Sequence, residues 1–213
     1  MRCLSFVVFL AAAFGAQAAD FDARLLDIQH AWAHANYEVS GDARERAFED
    51  LEERAAAFRA AYPDRAEALI WEGIVLSTYA GVKGGLGALG LAKKARADYE
   101  KALEMDETAL AGSAHTSLGV LYYKVPGWPL GFGSNDKAEK HLRKALSINP
   151  DGIDPNFFYA EYLVDEKGDY RAARRHLEKA LSAPDRPDRP VADAGRRAEV
   201  RRLLARLDER ERD

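Results

Sequence analysis

The sequence predicts an all-α protein, a superhelix of about four helix-turn-helix repeats that ends in a C-terminal capping helix. A short motif of large apolar, charged and small residues recurs along the chain at near-regular spacing. Glycine, Gly-Asp pairs or proline separate the apolar segments, which favours turns between helices. With 213 residues, of which 47% are hydrophobic and 31% charged, the chain has the composition of one globular unit.

The recurring motif marks the second helix of each repeat. It occurs as Tyr99–Leu103, Leu142–Leu146 and Leu177–Leu181, with a weaker copy at Ala55–Arg59. Corresponding positions in successive copies are 44, 43 and 35 residues apart, whereas a tetratricopeptide (TPR) unit has about 34 residues. We therefore predict four TPR-like repeats, of which the first is degenerate, as terminal repeats often are.

The spacing also predicts the domain organisation, a single TPR-like α-solenoid domain over residues 19–213. The long intervals indicate insertions of roughly ten residues in two repeats, at about 81–90 and 125–134. A last helix over about 192–210 has leucines on one face, and its arginines, Arg196 among them, are expected to face solvent. This helix is expected to cap the end of the superhelix.

Both insertions are expected to fold over the groove that the first helices of the repeats line. Five glycines between residues 81 and 90 oppose a helix interior, so a loop or loosely wound extension is predicted there. Residues 125–134 contain two prolines and three glycines, which bar a regular helix. Trp128 and Phe132 belong to this second insertion. They either wall a ligand cavity or only complete the core.

Residues 1–18 have the pattern of a cleavable export signal. An arginine precedes an apolar run over 3–14, and Ala16-Gln17-Ala18 supplies a small-x-small cleavage site. The alternative is a membrane anchor, but the run is shorter than the roughly 20 apolar residues that a span needs. Cleavage would also remove Cys3, the one cysteine of the sequence. We expect a soluble periplasmic protein without stable membrane insertion.

The sequence shows no catalytic or metal-binding constellation. His30 and His34 have the spacing of metal ligands on a helix, but no zinc-protease glutamate and no third ligand accompany them. The glycines of 81–90 lack the Gly-Lys-Ser/Thr ending of a phosphate loop. A net charge of −4 offers no general attraction for nucleic acid. We predict a non-enzymatic protein with no cofactor, no metal and no nucleic-acid partner.

Aromatic residues of the first helices and of the second insertion are the candidates for a ligand site. Binding sites are concave and largely apolar, with a few polar groups that orient the ligand. The expected cavity has Trp71, Tyr123 and Phe157 as its floor. The predicted ligand-binding residues are Trp71, Tyr123, Lys124, Trp128, Phe132, Asp154, Phe157 and Phe158.

Three segments resemble one known family. They are Tyr122–Gly133, which contains Pro-Gly-Trp-Pro, then Ala145–Tyr159 and Ala192–Val200. They are similar to the T-components (TatT-like proteins) of TRAP transporters, the tripartite ATP-independent periplasmic transporters. The resemblance implies a periplasmic helical protein that forms a homotrimer with a pore and a hydrophobic cleft in each subunit. It also implies a hydrophobic or organic-acid ligand and a periplasmic solute-binding protein as partner.

The expected function is therefore that of a periplasmic accessory protein that binds a hydrophobic or organic small molecule and a solute-binding protein. The alternative is a generic periplasmic TPR scaffold that mediates protein–protein interactions in cell-envelope assembly. Members of the family can be lipoproteins, whereas this sequence has no lipid-attachment cysteine at the end of its apolar run. That difference argues against a lipid tether.

Overall fold

In the computed structural model, residues 4–210 and 212 are described, and they contain nine α-helices and one π-helical turn. The prediction of an all-α fold is confirmed. The helices are α1 (Leu4–Tyr37), α2 (Gly41–Ala61), α3 (Ala66–Lys83), α4 (Gly85–Met105), α5 (Ala109–Lys124), α6 (Asn135–Ile148), α7 (Ile153–Tyr162), α8 (Tyr170–Leu181) and α9 (Pro190–Arg210), and the π-helical turn is Leu163–Lys167.

Consecutive helices pack in pairs, α1 with α2, α3 with α4, α5 with α6 and α7 with α8. The odd-numbered helices also contact one another in sequence, from α1 to α3, α3 to α5 and α5 to α7. They form an inner layer, and the even-numbered helices lie outside it. The ninth helix packs on α7 and α8 and also reaches α1. The inner layer is therefore closed at one side by α9.

Small residues allow two of these pairs to approach closely. A Cβ atom at Gly73 of α3 would lie 2.6 Å from the Tyr99 ring of α4, and one at Gly119 of α5 would lie 2.5 Å from Leu142 of α6. Both large partners are fully buried. The same small-against-large contact thus recurs in successive helix pairs, as expected of a helical repeat.

The prediction of a loop or loosely wound extension at residues 81–90 is wrong, because this segment is helical on both sides of a single break. Helix α3 ends at Lys83, and Gly84, with φ +62°, turns the chain into α4. A positive φ favours glycine at such a helix end. The pairing of α3 with α4 buries Leu91 and Ala92, and this tertiary packing outweighs the poor helix propensity of the glycines. Residues 125–134, in contrast, form an irregular connection.

The contact between α9 and α1 depends on Gly195. A Cβ atom at this position would lie 2.4–2.5 Å from three ring carbons of Tyr37. The Tyr37 hydroxyl donates to Glu199, one turn further along α9, at 3.3 Å. Helix α9 begins at Pro190 rather than near residue 192, and it packs on the first helix as well as on the last repeat.

The predicted cleavage site lies inside α1. Side chains are described over residues 18–85, 87–210 and 212. Residues 18–20 are exposed, and Phe21, which is 1% exposed, stacks on Phe58 with ring centroids 5.4 Å apart. Cleavage after Ala18 remains a prediction, and it would leave this packing in place. Among the described residues, no helix combines the length and apolarity that crossing a membrane requires.

Candidate ligand-binding site

The inner layer contains an open groove between α3, α5, α7 and α9, which we call the first cavity. Its volume is about 520 Å³, within the roughly 300–1,000 Å³ of small-molecule sites. Its apolar lining is Val82, Val120, Phe157, Phe158 and Leu203. Its charged lining is Arg44, Lys124, Glu161, Arg196, Glu199, Arg202 and Arg206. The lining thus contains five cations and two carboxylates, an excess of positive charge.

Two phenylalanines and an arginine form the base of the first cavity. The rings of Phe157 and Phe158 meet edge to face, with centroids 5.2 Å apart. The Arg196 guanidinium lies 4.8 Å from the Phe157 centroid and 4.3 Å from that of Phe158. A cation over an aromatic face is stabilised by the ring quadrupole. The base is therefore apolar, yet it carries a fixed positive charge.

The arginine at this base is held by two carboxylates. Arg196 Nε donates to Asp154 at 2.8 Å and its Nη1 donates to Glu199 at 2.6 Å. Burial acts to raise the pKa of Asp154, but the charges of Arg196 and Arg186 outweigh it and hold that pKa well below its usual range. The expectation that Arg196 faces solvent is wrong, since the residue is 8% exposed. Asp154 is thus a structural partner of two arginines.

Lys124 and Tyr123 meet the same acidic residue at the other side of the groove. Lys124 Nζ lies 3.3 Å from Glu161 and 3.0 Å from Asp165. The Tyr123 hydroxyl donates to Glu161, and burial followed by the charge of Glu161 raises the pKa of this phenol well above its usual value. Tyr123 is buried behind the cavity, while Lys124 lines it.

A second cavity, of about 470 Å³, lies across the Asp154–Arg196 ion pair from the first. It is bounded by α1, α3, the start of α5, the start of α7 and the segment that precedes α9. Trp71 and Asp154 line it, together with Arg186 and Arg189. The structure therefore divides the predicted residues, because Lys124, Phe157 and Phe158 line the first cavity and Trp71 and Asp154 line the second.

Comparison with known families matches residues 11–209 to the TRAP transporter T-component family. The match covers nearly the whole chain, including every residue that lines the two cavities. The chain belongs to this family. None of the curated proteins compared with the chain matches it. Membership shows a role as an accessory of a TRAP transporter.

In this T-component, the second insertion does not wall either cavity. Trp128 is 90% exposed and Leu130 is 74% exposed. Phe132 packs on the outer side, edge to face with Tyr122 at 6.0 Å and under the Arg96 guanidinium at 4.5 Å. The prediction that the second insertion walls a ligand cavity is therefore wrong. In that prediction, Trp128 and Phe132 covered a floor formed by Trp71, Tyr123 and Phe157. Phe132 completes the core, and Trp128 belongs to the outer surface.

The histidines have structural partners. His30 Nε2 contacts the carbonyl oxygen of Asp188 at 2.6 Å, and His34 pairs with Glu38 at 2.8 Å. No motif in the sequence indicates a further pair, His115 and His141, whose Nδ1 atoms are 2.9 Å apart across α5 and α6. One ring must donate and the other accept. Burial, followed by the neighbouring positive charges, lowers the pKa of His141 to about 4, which keeps it neutral in this contact.

A half-buried carboxyl on the outer helix α4 makes stability depend on pH. Burial, followed by repulsion from Glu72, raises the pKa of Asp98 from an ordinary 3.8 to about 7. The folded state then binds more protons than the unfolded state between these values, so this contribution to stability falls as pH rises from about 4 to 7. Asp98→Asn should exceed the wild type in free energy of unfolding by roughly 2 kcal/mol at pH 8 and match it at pH 4.

Urea unfolding of both proteins across this pH range measures the effect. The histidine pair has the opposite dependence, because its lowered pKa values favour folding as pH rises. That contribution is common to wild type and Asp98→Asn, so the difference between them isolates Asp98. A constant difference from pH 4 to pH 8 would contradict the assignment.

Proposed function

We propose that this T-component binds, in its first cavity, a small organic ligand with an apolar body and a negatively charged group. The observation that carries the proposal is the base of the groove, where Arg196 lies over Phe157 and Phe158. An apolar body packs on the two rings, whose exposed parts are removed from water on binding. The proposal keeps the predicted class of a hydrophobic or organic ligand and moves its site to Lys124, Phe157 and Phe158.

The rim of the first cavity supports a negative charge on the ligand. Arg202 and Arg206 project from α9 at the groove, and neither forms an ion pair within the described residues. Arg196 and Lys124, in contrast, are already paired with protein carboxylates. Guanidinium groups bind carboxylates through two parallel hydrogen bonds. Arg202 and Arg206 are therefore the proposed partners of the ligand's charged group.

We further propose that the protein acts in the periplasm, as a TPR-like homotrimer, with the solute-binding protein of its transporter as partner. The exposed tip formed by Trp128 and Leu130 supports contact with a protein. Large exposed apolar side chains at a loop tip are typical of interaction sites, and tryptophan is enriched among the residues that dominate binding energy. The same tip would serve the alternative function, a scaffold for cell-envelope assembly.

A fluorescent apolar anion tests the ligand site. Titration of 8-anilinonaphthalene-1-sulfonate should give an increase in emission that saturates. Phe158→Ala should weaken the affinity about tenfold, because part of the apolar floor is lost. Phe132→Ala is the matched control, since the same atoms are removed outside both cavities. Equal affinities of wild type and a folded Phe158→Ala variant would refute the first cavity as the site.

A pull-down from periplasm tests the partner and the alternative together. The wild-type protein should capture a solute-binding protein, and Trp128→Ala should reduce that capture without changing dye affinity. Capture of envelope assembly factors in its place would favour the scaffold function.

A further inference from the structure

The second cavity contains two buried hydrogen-bond donors that lack an acceptor in the described part of the chain. They are the indole Nε1 of Trp71, a residue that is 3% exposed, and the Nε of Arg189. The Arg189 guanidinium lies 5.0 Å from the centre of the Trp71 ring. Buried donors in proteins are nearly always hydrogen bonded, so an oxygen acceptor near these two neighbouring side chains would satisfy groups that the protein leaves unpaired.

Arg189 also has no carboxylate of its own. Among residues 4–210 and 212 it forms no ion pair, while Arg186 holds both Asp154 and Asp193. Burial, followed by the positive charge of Arg186, lowers the pKa of Arg189. An anion placed beside this guanidinium would relieve both effects, because it supplies the missing countercharge where water is scarce.

The two carboxylates that line the second cavity do not oppose such an anion strongly. Asp151 pairs with Lys179 at 3.0 Å. Asp154 accepts from Arg186 and from Arg196, each at 2.8 Å. Their charges are therefore offset by neighbouring cations, and the charge of Arg189 remains to attract a ligand.

The segment that carries Arg189 is fixed to the rest of the fold. The Arg189 amide donates to the carbonyl of Arg186 at 2.8 Å, and the Asp188 carbonyl contacts His30 of α1. Arg197 of α9 donates to the carbonyl of Ala183 at 2.8 Å. The guanidinium is thus presented by a segment anchored at both ends, which reduces the entropy lost on binding.

The opposite wall of this cavity is apolar and has a strained backbone. Leu110 and Ala111 line it with φ values of 48° and 54°, in the left-handed region that favours glycine. Strained backbone of this kind is concentrated at ligand sites. Further apolar lining comes from Ile153, Pro155 and Pro184. The cavity therefore offers one cationic end and an apolar remainder.

We propose that the second cavity is a separate binding site for a small monocarboxylic acid with an apolar body. Arg189 and the indole N–H of Trp71 donate to its carboxylate, and the wall around Leu110 and Ile153 contacts its apolar part. This site is independent of the first cavity, from which the Asp154–Arg196 pair separates it.

Nuclear magnetic resonance of the full chain tests the site with benzoate as the probe. The chain has three tryptophans, so three indole N–H signals are expected, assigned by Trp→Phe substitutions. Benzoate should shift the Trp71 signal until saturation, whereas benzamide, which is neutral and of the same shape, should not. The Trp32 indole, which donates to Thr78 at 3.0 Å, should keep its signal and report folding.

Arg189→Gln should weaken the benzoate effect at Trp71 about tenfold or more, because a charge-assisted hydrogen bond is lost. Arg201→Gln, an exposed arginine outside both cavities, should leave it unchanged, as should Phe158→Ala. If Arg189→Gln alters the Trp32 signal, Arg189→Lys takes its place and should also weaken binding, since it lacks the planar donor pair. A Trp71 signal that benzoate does not move, or an equal shift with benzamide, overturns the proposal.

Discussion

Replacement of Arg196 by leucine should lower the free energy of unfolding by about 3 kcal/mol, since removal of one partner strands buried charge. The guanidinium is 8% exposed and joins Asp154 of α7 to Glu199 of α9. Leucine keeps apolar packing near the phenylalanine rings but leaves Glu199 without its guanidinium partner. Urea unfolding at pH 7 measures the loss.

Two further variants make the Arg196 result specific. Arg201→Leu, an exposed position on the same helix, should change stability by less than about 0.5 kcal/mol. Adding Glu199→Gln to Arg196→Leu should recover part of the loss, because the carboxylate that lost its guanidinium partner is then neutral, whereas Asp154 keeps its ion pair with Arg186. A loss below about 1 kcal/mol for Arg196→Leu alone would show that the ion pair is not a major support of the fold.

Gly195→Val should destabilise the protein by about 3 kcal/mol, because overpacking at a tight contact displaces neighbouring groups. A Cβ atom there would lie 2.4–2.5 Å from the Tyr37 ring, so α9 must move away from α1. The hydrogen bond from Tyr37 to Glu199 would be lost with that movement.

Thermal unfolding measures the Gly195 effect, with Ala194→Val as the control. Residue 194 is exposed on the same turn of α9. Valine there should lower the stability by only about 0.5 kcal/mol, because its helix propensity is lower than that of alanine. Equal melting temperatures of the two variants would contradict a close α1–α9 contact.

The sequence predicts the helical architecture well because that architecture is recorded in short-range patterns. The copies of the motif at Tyr99–Leu103, Leu142–Leu146 and Leu177–Leu181 lie in α4, α6 and α8, the outer helices of their pairs. The helical state of residues 81–90 is not predictable in this way, since it depends on the packing of α4 against α3. Local propensity and tertiary packing disagree there, and packing prevails.

The site is predicted less well, because it depends on the direction in which each side chain points, and residue spacing alone does not determine that direction. The connection over residues 125–134 folds back on itself, with the Gly133 amide donating to the Pro126 carbonyl at 2.9 Å, and this return turns Trp128 outward. A signal for Arg196 was present in the sequence. The residue is four positions before Val200 and therefore shares the buried face of α9 with Val200, Leu203 and Leu207.

Native mass spectrometry of the protein purified from periplasm without detergent tests the central claim most directly, with wild type, Phe158→Ala and Phe132→Ala compared. If the first cavity binds the ligand, each subunit of the wild type and of Phe132→Ala should carry a small apolar acid that Phe158→Ala loses, while an acid in the second cavity stays bound in all three proteins. The same spectra count the subunits of the assembly. A wild-type protein without any bound molecule, or a folded Phe158→Ala variant that retains as many bound molecules per subunit as the wild type, would contradict binding in the first cavity.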